Sequence, residues 1–254
     1  MSDPHELDAG SGEVSMHTPS GLPNVTAAIL AGGLGTRLRA VIADRPKPIA
    51  DVCGRPFLMY LLDQLIAAGL TNAVLCTGYR AEQVRNRLGE RYGVMHLTYS
   101  QETQPLGTGG ALRQALPFLT SDIVLVMNGD SICECDLGKF WIWHQQRQTA
   151  LSLLLNRVGD ISQYGQVKVD DTGRVTEFVE KNPNSGPGWV NAGVYLIAKN
   201  LIADLPAGCA VSLEYEVFPS LIGKGLYGYQ ADGRFLDIGT PETYQRANRF
   251  FEGQ

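Results

Sequence analysis

A glycine-rich loop followed by two cationic side chains is the segment of this chain best suited to chemistry. Three of the four residues at 32–35 are glycines; they follow the apolar run 25–30 and precede Arg37 and Lys47. Glycine has no Cβ, so such a backbone can approach a ligand closely and direct successive N–H groups at an anion. Arg offers paired donors to phosphate oxygens, and Lys adds a compact charge. The segment therefore predicts a binding site for a diphosphate or a triphosphate.

Two carboxylates follow other predicted strands and could hold a metal ion. Asp130 ends the sequence Asn-Gly-Asp after the apolar run 123–127, and Asp237 precedes a glycine-containing turn. A single Asp at such a position is commonly a turn residue. Two of them together would suit Mg²⁺, which takes one or two carboxylates in addition to phosphate oxygens and water.

The elements that position these residues alternate in type through the first half of the chain. Strands are predicted at 25–30, 72–77, 95–99, 123–127, 150–155, 166–169, 174–179, 190–198, 227–230 and 234–237, and helices at 56–68, 81–90, 109–119 and 241–251. This order predicts an α/β fold, with a Rossmann-like, mostly parallel sheet flanked by helices, followed by an α+β half. Ligands of such sheets bind at the carboxyl ends of the strands. We therefore expect the glycine loop and Asp130 at the same edge.

The spacing of the glycines matches neither the dinucleotide fingerprint G-x-G-x-x-G nor the P-loop G-x-x-x-x-G-K-[ST]. It resembles the signature of the sugar-phosphate nucleotidyltransferases, G-G-x-G-T-R-L followed by a K-P element, which here are residues 32–38 and Lys47-Pro48. Further segments resemble that family in the same order between residues 25 and 250. The resemblance implies the nucleotide-diphospho-sugar transferase fold. It also implies the reaction of an NTP with a sugar 1-phosphate to give an NDP-sugar and pyrophosphate.

The resemblance also implies roles for individual residues. Arg37, Lys47 and Asp130 are expected to be catalytic, and Asp130 and Asp237 are expected to bind Mg²⁺, the implied cofactor. Arg37 would neutralise the leaving pyrophosphate, and Lys47 the phosphates near the reacting centre. The expected contacts with the nucleotide are Leu30, Ala31, Gly32, Gly33, Gly35, Thr36, Glu102, Pro105, Gly107 and Thr108.

A second glycine-rich segment, 102–112, is similar to the family element that packs against the nucleobase and ribose. On its own it also reads as a plain strand-to-helix connection with Thr108 as the N-cap. Glu102 could accept hydrogen bonds from both N1–H and the 2-amino group of guanine, whereas Gln101 could read a uracil or thymine edge. We expect GTP as the nucleotide, with UTP or dTTP as the alternatives.

The sugar 1-phosphate is expected in the second half of the chain, where Gly165, Glu180, Lys181 and Asn191 match the family's pattern. Gly165 would leave room for the ring, Glu180 and Asn191 would bind hydroxyls, and Lys181 would neutralise the phosphate. Taken alone, the Glu-Lys pair would be an ordinary solvated ion pair.

Within the family the chain most resembles the D-glycero-α-D-manno-heptose 1-phosphate guanylyltransferases. Mannose 1-phosphate guanylyltransferases, N-acetylmuramate 1-phosphate uridylyltransferases and glucose 1-phosphate thymidylyltransferases share most of the motifs. A sugar-nucleotide sensor that binds without turnover is the alternative from another class. The retained cations and carboxylates argue against a sensor.

Bulk properties set the remaining expectations. A net charge of −5 argues against a partner nucleic acid. An odd number of cysteines, five, fits a reducing compartment. The absence of an apolar run of roughly 20 residues argues against a membrane span, so we expect a cytoplasmic protein. Residues 1–23 are expected to form a disordered tail and residues 24–254 a single nucleotidyltransferase domain, while the oligomeric state has no signal in the sequence.

Overall fold

The computed structural model describes Leu22 and residues 24–38, 41–42, 44–180 and 186–252. The strands in these ranges are β1 (Thr26–Ala31), β2 (Asp51–Val52), β3 (Arg55–Pro56), β4 (Asn72–Thr77), β5 (Arg91–Tyr92), β6 (Met95–Gln101), β7 (Ile123–Asn128), β8 (Ser131–Cys133), β9 (Leu151–Val158), β10 (Gln166–Val169), β11 (Val175–Val179), β12 (Gly188–Ala198), β13 (Leu226–Ala231) and β14 (Phe235–Asp237). The α-helices are α1 (Phe57–Ala67), α2 (Ala81–Leu88), α3 (Gly107–Ala115), α4 (Leu137–Arg147), α5 (Lys199–Ala203), α6 (Phe218–Leu221) and α7 (Pro241–Phe251).

One mixed sheet joins the two halves of the chain. Its strand order is β11-β10-β12-β7-β1-β4-β6-β5, and β9 and β13 extend it beside β12. The central strands β7, β1, β4 and β6 are parallel, whereas β12 is antiparallel to both β7 and β9. The predicted α/β fold with a mostly parallel sheet is therefore confirmed in its central part. The second half adds strands to the same sheet.

Apolar layers cover both faces of this sheet. Successive residues of a strand point to opposite faces, so Ala27 and Ile29 of β1 belong to one apolar cluster and Ala28 to the other. The first cluster includes the buried side chains of α1, α2 and α7, and the second those of α3, α5 and α6. The strands are thus held from both sides, and their carboxyl ends form a rigid edge.

Most of the predicted elements are present with small changes in their bounds. The predicted helix at 109–119 is a clear exception: α3 covers Gly107–Ala115, and a 3₁₀ turn at Leu116–Phe118 follows it. Pro117 explains the early end of α3, because proline has no N–H to continue the helical ladder. The sequence reasoning did not predict the bounds of α4, which begins where the Asp136 side chain accepts a hydrogen bond from the Lys139 N–H at 3.0 Å.

Leu22 lies in the predicted tail but belongs to the core. Its side chain is buried, and its N–H donates to the Ala68 carbonyl oxygen at 3.0 Å. The rest of the predicted tail falls outside the described residues, and the division into a tail and one domain stays a prediction. In the part of the chain that the structure describes, no helix is both long and apolar enough to cross a bilayer.

The buried histidine of α4 makes stability depend on pH. His144 is 3% exposed, its Nδ1 lies 2.8 Å from the Ser152 hydroxyl, and burial lowers its pKa from 6.5 to about 4. The unfolded chain therefore binds more protons between these two values, so stability present above pH 6.5 is lost as the pH falls to 4. We expect this residue to remove on the order of 3 kcal/mol of unfolding free energy over that range.

Urea unfolding at pH 7 and pH 4 measures this effect. His144→Asn, which cannot titrate, is expected to lose less stability on acidification than the unsubstituted chain. Equal losses in the two proteins would show that other groups control acid unfolding.

Candidate active site

A cavity of about 360 Å³ opens at the carboxyl ends of β1, β4 and β7. It is lined by all the residues predicted to be catalytic and by all those predicted to bind the nucleotide. They are Leu30, Ala31, Gly32, Gly33, Gly35, Thr36, Arg37, Lys47, Glu102, Pro105, Gly107, Thr108 and Asp130. Side chains separated by up to a hundred positions thus surround one space, because parallel strands end at one edge. Their roles remain predictions, but their convergence is observed.

The first glycine loop keeps its shape through one glycine in the left-handed region and one buried anchor. Gly35 has a φ of +58°, and its carbonyl oxygen accepts a hydrogen bond from the Leu38 N–H at 3.0 Å. Leu38 is 2% exposed and fixes the short 3₁₀ turn that carries Arg37. A Cβ at Gly33 would meet no atom within 4 Å, so this part of the loop faces open space on the cavity side.

Lys47 and Asp130 form an ion pair across the cavity. Lys47 belongs to a short 3₁₀ turn whose other residues, Pro48 and Ile49, are buried, and its side chain is 10% exposed. Asp130 follows β7, where the Gly129 N–H donates to the Leu30 carbonyl oxygen at 2.9 Å. The pair therefore neutralises the Lys47 ammonium, which would be costly to bury alone.

Asp237 reaches the same region through the small ladder of β14 and β8. These strands are antiparallel with Asp237 opposite Ser131, and the Ile238 N–H donates to the Asp130 carbonyl oxygen at 2.9 Å. Burial, together with the charge of Asp130, raises the pKa of Asp237 to about 6, while the charge of Lys47 acts in the opposite direction. Two carboxylates therefore lie close together at this edge, with the charges of Lys47 and Arg37 near them.

This donor set fits a divalent metal ion. In the described ranges, no group of three or more His, Cys, Asp or Glu side chains is placed to hold a metal. Mg²⁺ needs only one or two carboxylates when substrate phosphates and water complete its shell. Asp130 and Asp237 supply that number, and they lie close enough for the charge of Asp130 to contribute, after burial, to the raised pKa of Asp237.

The second glycine-rich segment is shaped largely by packing within the protein. A Cβ at Gly107, whose φ is +70°, would lie 2.5 Å from the Val211 carbonyl oxygen, and one at Gly110 would lie 2.5 Å from that of Cys209. The N–H groups of Gly109 and Gly110 donate to Val211 at 2.9 and 3.3 Å. Two of its backbone donors are thus engaged with the 209–211 segment rather than directed at the cavity.

Thr108 does not act as the N-cap of α3, as the simple connection would require. The helix begins after Leu106, and the Thr108 hydroxyl donates to Glu214 Oε2 at 2.7 Å and accepts from the Leu213 N–H at 2.8 Å. This link to a segment about a hundred residues away had no signal in the sequence. It fixes the wall of the cavity on which Thr108 lies.

Glu102 lines the cavity, whereas Gln101 is exposed and is not among the lining residues. Glu102 Oε2 accepts a hydrogen bond from the Leu106 N–H at 3.2 Å. Burial raises the pKa of Glu102, and this hydrogen bond partly offsets the shift. Of the two side chains considered for base recognition, only Glu102 is therefore placed to meet a ligand here.

Three of the four residues predicted to bind the sugar phosphate, Gly165, Glu180 and Asn191, lie in or next to strands of the second half of the chain and do not line this cavity. The Gly165 carbonyl oxygen accepts from the Asn191 N–H at 2.9 Å, and a Cβ at Gly165 would lie 2.5 Å from Glu180 Oε2. The Asn191 side chain donates to the Tyr195 hydroxyl at 2.8 Å and accepts from the Gly193 N–H at 3.0 Å. The structure thus groups three of the four predicted residues.

The fourth residue predicted for the sugar phosphate, Lys181, falls outside the described residues. Sequence reasoning also missed two residues at the edge of the site. Asn128 lines the cavity, and its Oδ1 is buried without a hydrogen-bond partner in the described part of the chain. Gly78 follows β4 directly, and this position after a predicted strand is the signal that could have found it.

Comparisons with known proteins agree with this geometry. The sequence profile of the nucleotidyl transferase family matches residues 26–254. The chain is 36% identical over 224 residues to a D-glycero-alpha-D-manno-heptose 1-phosphate guanylyltransferase of Aneurinibacillus thermoaerophilus, covering 88% of this chain and 96% of the relative. It is also 36% identical over 228 residues to a mannose-1-phosphate guanylyltransferase of Mycobacterium tuberculosis, covering 88% of this chain but 64% of that relative.

A solved structure of similar shape extends the comparison. The crystal structure of HddC from Yersinia pseudotuberculosis superposes with a TM-score of 0.80 at 34% identity and covers 90% of this chain and 100% of that one. A second crystal structure of HddC, complexed with GMP-PN, gives the same TM-score at 33% identity. The family predicted from the glycine loop and its K-P element is confirmed: the chain belongs to the nucleotidyl transferase family.

Proposed function

We propose that this chain is a guanylyltransferase that converts GTP and a sugar 1-phosphate into a GDP-sugar and pyrophosphate. The observation that carries the proposal is the cavity in which the glycine loop, Arg37, Lys47 and Asp130 meet, with Asp237 beside them. These groups suit a triphosphate and a divalent ion, and the relatives named above are guanylyltransferases.

The proposed reaction is an in-line displacement at the α-phosphorus of GTP. An oxygen of the sugar phosphate forms a bond to that phosphorus, and the bond to the β-phosphate oxygen breaks to release pyrophosphate. The protein needs no nucleophile of its own, because its task is to position the reactants and neutralise charge. Arg37 neutralises the leaving pyrophosphate, Lys47 the phosphates at the reacting centre and Lys181 the incoming sugar phosphate.

Enzymes of this family generally use a divalent metal ion. We propose Mg²⁺, held by Asp130 and Asp237. When bound, it would supply positive charge to the phosphates. Asp130 accepts the Lys47 ammonium through Oδ2 in this structure, so its other oxygen, Oδ1, would be left to bind the metal ion.

D-glycero-α-D-manno-heptose 1-phosphate is the sugar that we favour, because the chain spans 96% of the heptose relative but 64% of the mannose relative. Mannose 1-phosphate is the second candidate, since the mannose relative and the heptose relative are both 36% identical to this chain. The position of Glu102 on the cavity favours guanine over the uracil or thymine of UTP and dTTP. The cytoplasmic location expected from the sequence stays a prediction.

Pyrophosphate release with Mg²⁺ tests the proposal directly. GTP, UTP, dTTP, CTP and ATP are each combined with the 1-phosphates of the manno-heptose, mannose, glucose and N-acetylmuramate. We expect turnover with GTP and the manno-heptose or mannose phosphate. Turnover with UTP or dTTP instead would overturn the base assignment, and binding of the nucleotide with no turnover across the panel would favour the sensor.

Glu102→Gln is expected to lower kcat/KM for GTP by about 10- to 100-fold, which corresponds to one hydrogen bond to a charged group. A carboxylate can accept from N1–H with one oxygen and from the 2-amino group with the other, whereas an amide has only one oxygen. Gln101→Ala is the matched control, because this neighbouring side chain is exposed and outside the cavity. Unchanged discrimination among nucleotides in Glu102→Gln would remove Glu102 from the base pocket.

A further inference from the structure

Gly78 lies where the carboxylate of Glu102 leaves no room for a side chain. A Cβ at this position would lie 2.6 Å from Glu102 Oε1, 2.9 Å from Glu102 Cγ and 2.9 Å from the Gly32 carbonyl oxygen. The φ of Gly78 is outside the left-handed region, so the backbone itself would accept another residue. Glycine is needed here for space alone.

Backbone from the ends of β1 and β4 and from the start of α3 lies close to the Glu102 carboxylate. The Glu102 N–H donates to the Thr77 carbonyl oxygen at 2.8 Å, which places the residue beside the end of β4. A Cβ at Gly32, after β1, would lie 2.7 Å from Oε1, and the Leu106 N–H donates to Oε2 at 3.2 Å. Glu102 also lines the cavity, so its side chain is open in that direction.

We propose that Gly78 is a positioning residue for base selection. Because it has no side chain, it leaves room for the Glu102 carboxylate to lie where it can accept two hydrogen bonds from one edge of a purine. The matching nucleotide presents two adjacent donors, as N1–H and the 2-amino group of guanine do. This inference rests on the proposed function, because it assumes that the base of the triphosphate lies against Glu102.

A methyl group at position 78 would displace the Glu102 carboxylate from its place against Gly32 and Gly78. Backbone atoms of Gly32 and Leu106 restrict two of the other directions, and the cavity that Glu102 lines is open to it. A methyl group at position 78 therefore pushes Glu102 into the space of the nucleotide and disturbs the paired hydrogen bonds. The loss should be larger for a base with both donors than for a base with one.

Comparison of GTP with ITP, which lacks the 2-amino group, isolates this effect. We expect the unsubstituted chain to prefer GTP over ITP in kcat/KM by about 10-fold or more, and Gly78→Ala to bring that ratio close to 1. Gly159→Ala is the matched control, because a Cβ there meets no atom within 4 Å. If Gly78 had a merely structural role, Gly78→Ala would lower kcat/KM equally for GTP and ITP and leave their ratio unchanged. That result would overturn the proposal.

A shorter carboxylate gives an independent test that does not require Gly78→Ala to fold. Glu102→Asp withdraws the carboxylate by one methylene, so the space at position 78 should no longer matter. The double variant Gly78→Ala/Glu102→Asp is then expected to have the same GTP-to-ITP ratio as Glu102→Asp alone. Different ratios in these two proteins would overturn the role of Gly78.

The outcomes separate this inference from the proposed function. If the unsubstituted chain does not prefer GTP over the pyrimidine nucleotides, the guanylyltransferase proposal fails. If it prefers GTP over those nucleotides but does not distinguish GTP from ITP, or if Gly78→Ala keeps the original ratio, only the role of Gly78 is overturned.

Discussion

Asp130→Asn is expected to lower kcat by about 100- to 1,000-fold with saturating GTP, sugar phosphate and Mg²⁺. Asparagine has nearly the same shape as aspartate but no negative charge, so it holds a divalent ion poorly. The Lys47 ammonium, which pairs with Asp130, would also lose its partner and its fixed position. The reacting phosphates would then be both less neutralised and less well placed.

The fold should survive this substitution because a second carboxylate is close by. The charge of Asp130 helps to raise the pKa of Asp237, so its removal allows Asp237 to ionise more readily. An ionised Asp237 can then balance the Lys47 charge. Asp130 is also 36% exposed, and water screens part of the lost interaction. We therefore expect a change in melting temperature of only a few degrees.

Steady-state kinetics, melting temperature and a metal titration together check this prediction. Asp122→Asn is the matched control, since it makes the same charge change just before the opposite end of β7 and is exposed. It should keep normal turnover. Undiminished kcat and unchanged metal dependence in Asp130→Asn would show that Asp130 does not hold the metal.

The nucleotide half of the site could be predicted because its residues depend on short-range rules. The glycine loop and Asp130 each follow an apolar strand, and parallel strands bring their carboxyl ends to one edge whatever the rest of the chain does. Lys47 follows the same loop in the sequence, and its position beside Asp130 is what the predicted chemistry needs.

Contacts between distant and very short elements could not be predicted in this way. Asp237 approaches Asp130 through the pairing of β8 with β14, each three residues long and about a hundred positions apart. β8 is too short to show periodicity in a sequence, and although β14 lies within the strand predicted at 234–237, nothing in the sequence indicates that the two strands pair. The bond from Thr108 to Glu214 is of the same kind, since a Thr at the start of a helix reads first as a cap.

Glycines show the same difference between local and distant causes. Gly35 and Gly107 have positive φ values, and the sequence marked them because they lie in recognisable loops. Gly78 and Gly233 are required by atoms that approach from other parts of the chain. The position of Gly78 after a predicted strand can be read from the sequence, but the atoms that approach Gly78 and Gly233 are seen only in the packed structure.

Gly233→Ala is expected to destabilise the fold by roughly 3–5 kcal/mol, in the range of the most severe overpacking substitutions. A Cβ at Gly233 would overlap the Glu134 carbonyl oxygen and lie 2.6 Å from the carbonyl carbon. These are backbone atoms, and the Glu134 N–H is itself fixed by the Arg234 carbonyl oxygen at 2.9 Å. Relief therefore requires the segments around residues 134 and 233 to separate.

We expect this separation to displace residues of the active site, because the two segments adjoin β8 and β14. The ladder pairs Phe235 with Cys133 and Asp237 with Ser131, so a shift at its outer end moves Asp237 relative to Asp130. We expect the melting temperature to fall by on the order of 10 °C and the metal concentration for half-maximal activity to rise. Gly159→Ala, which adds a methyl group in open space, should change neither quantity. A stable Gly233→Ala protein with unchanged metal dependence would contradict this prediction. It would mean that the two strands can separate with no loss of stability and that their ladder does not position Asp237.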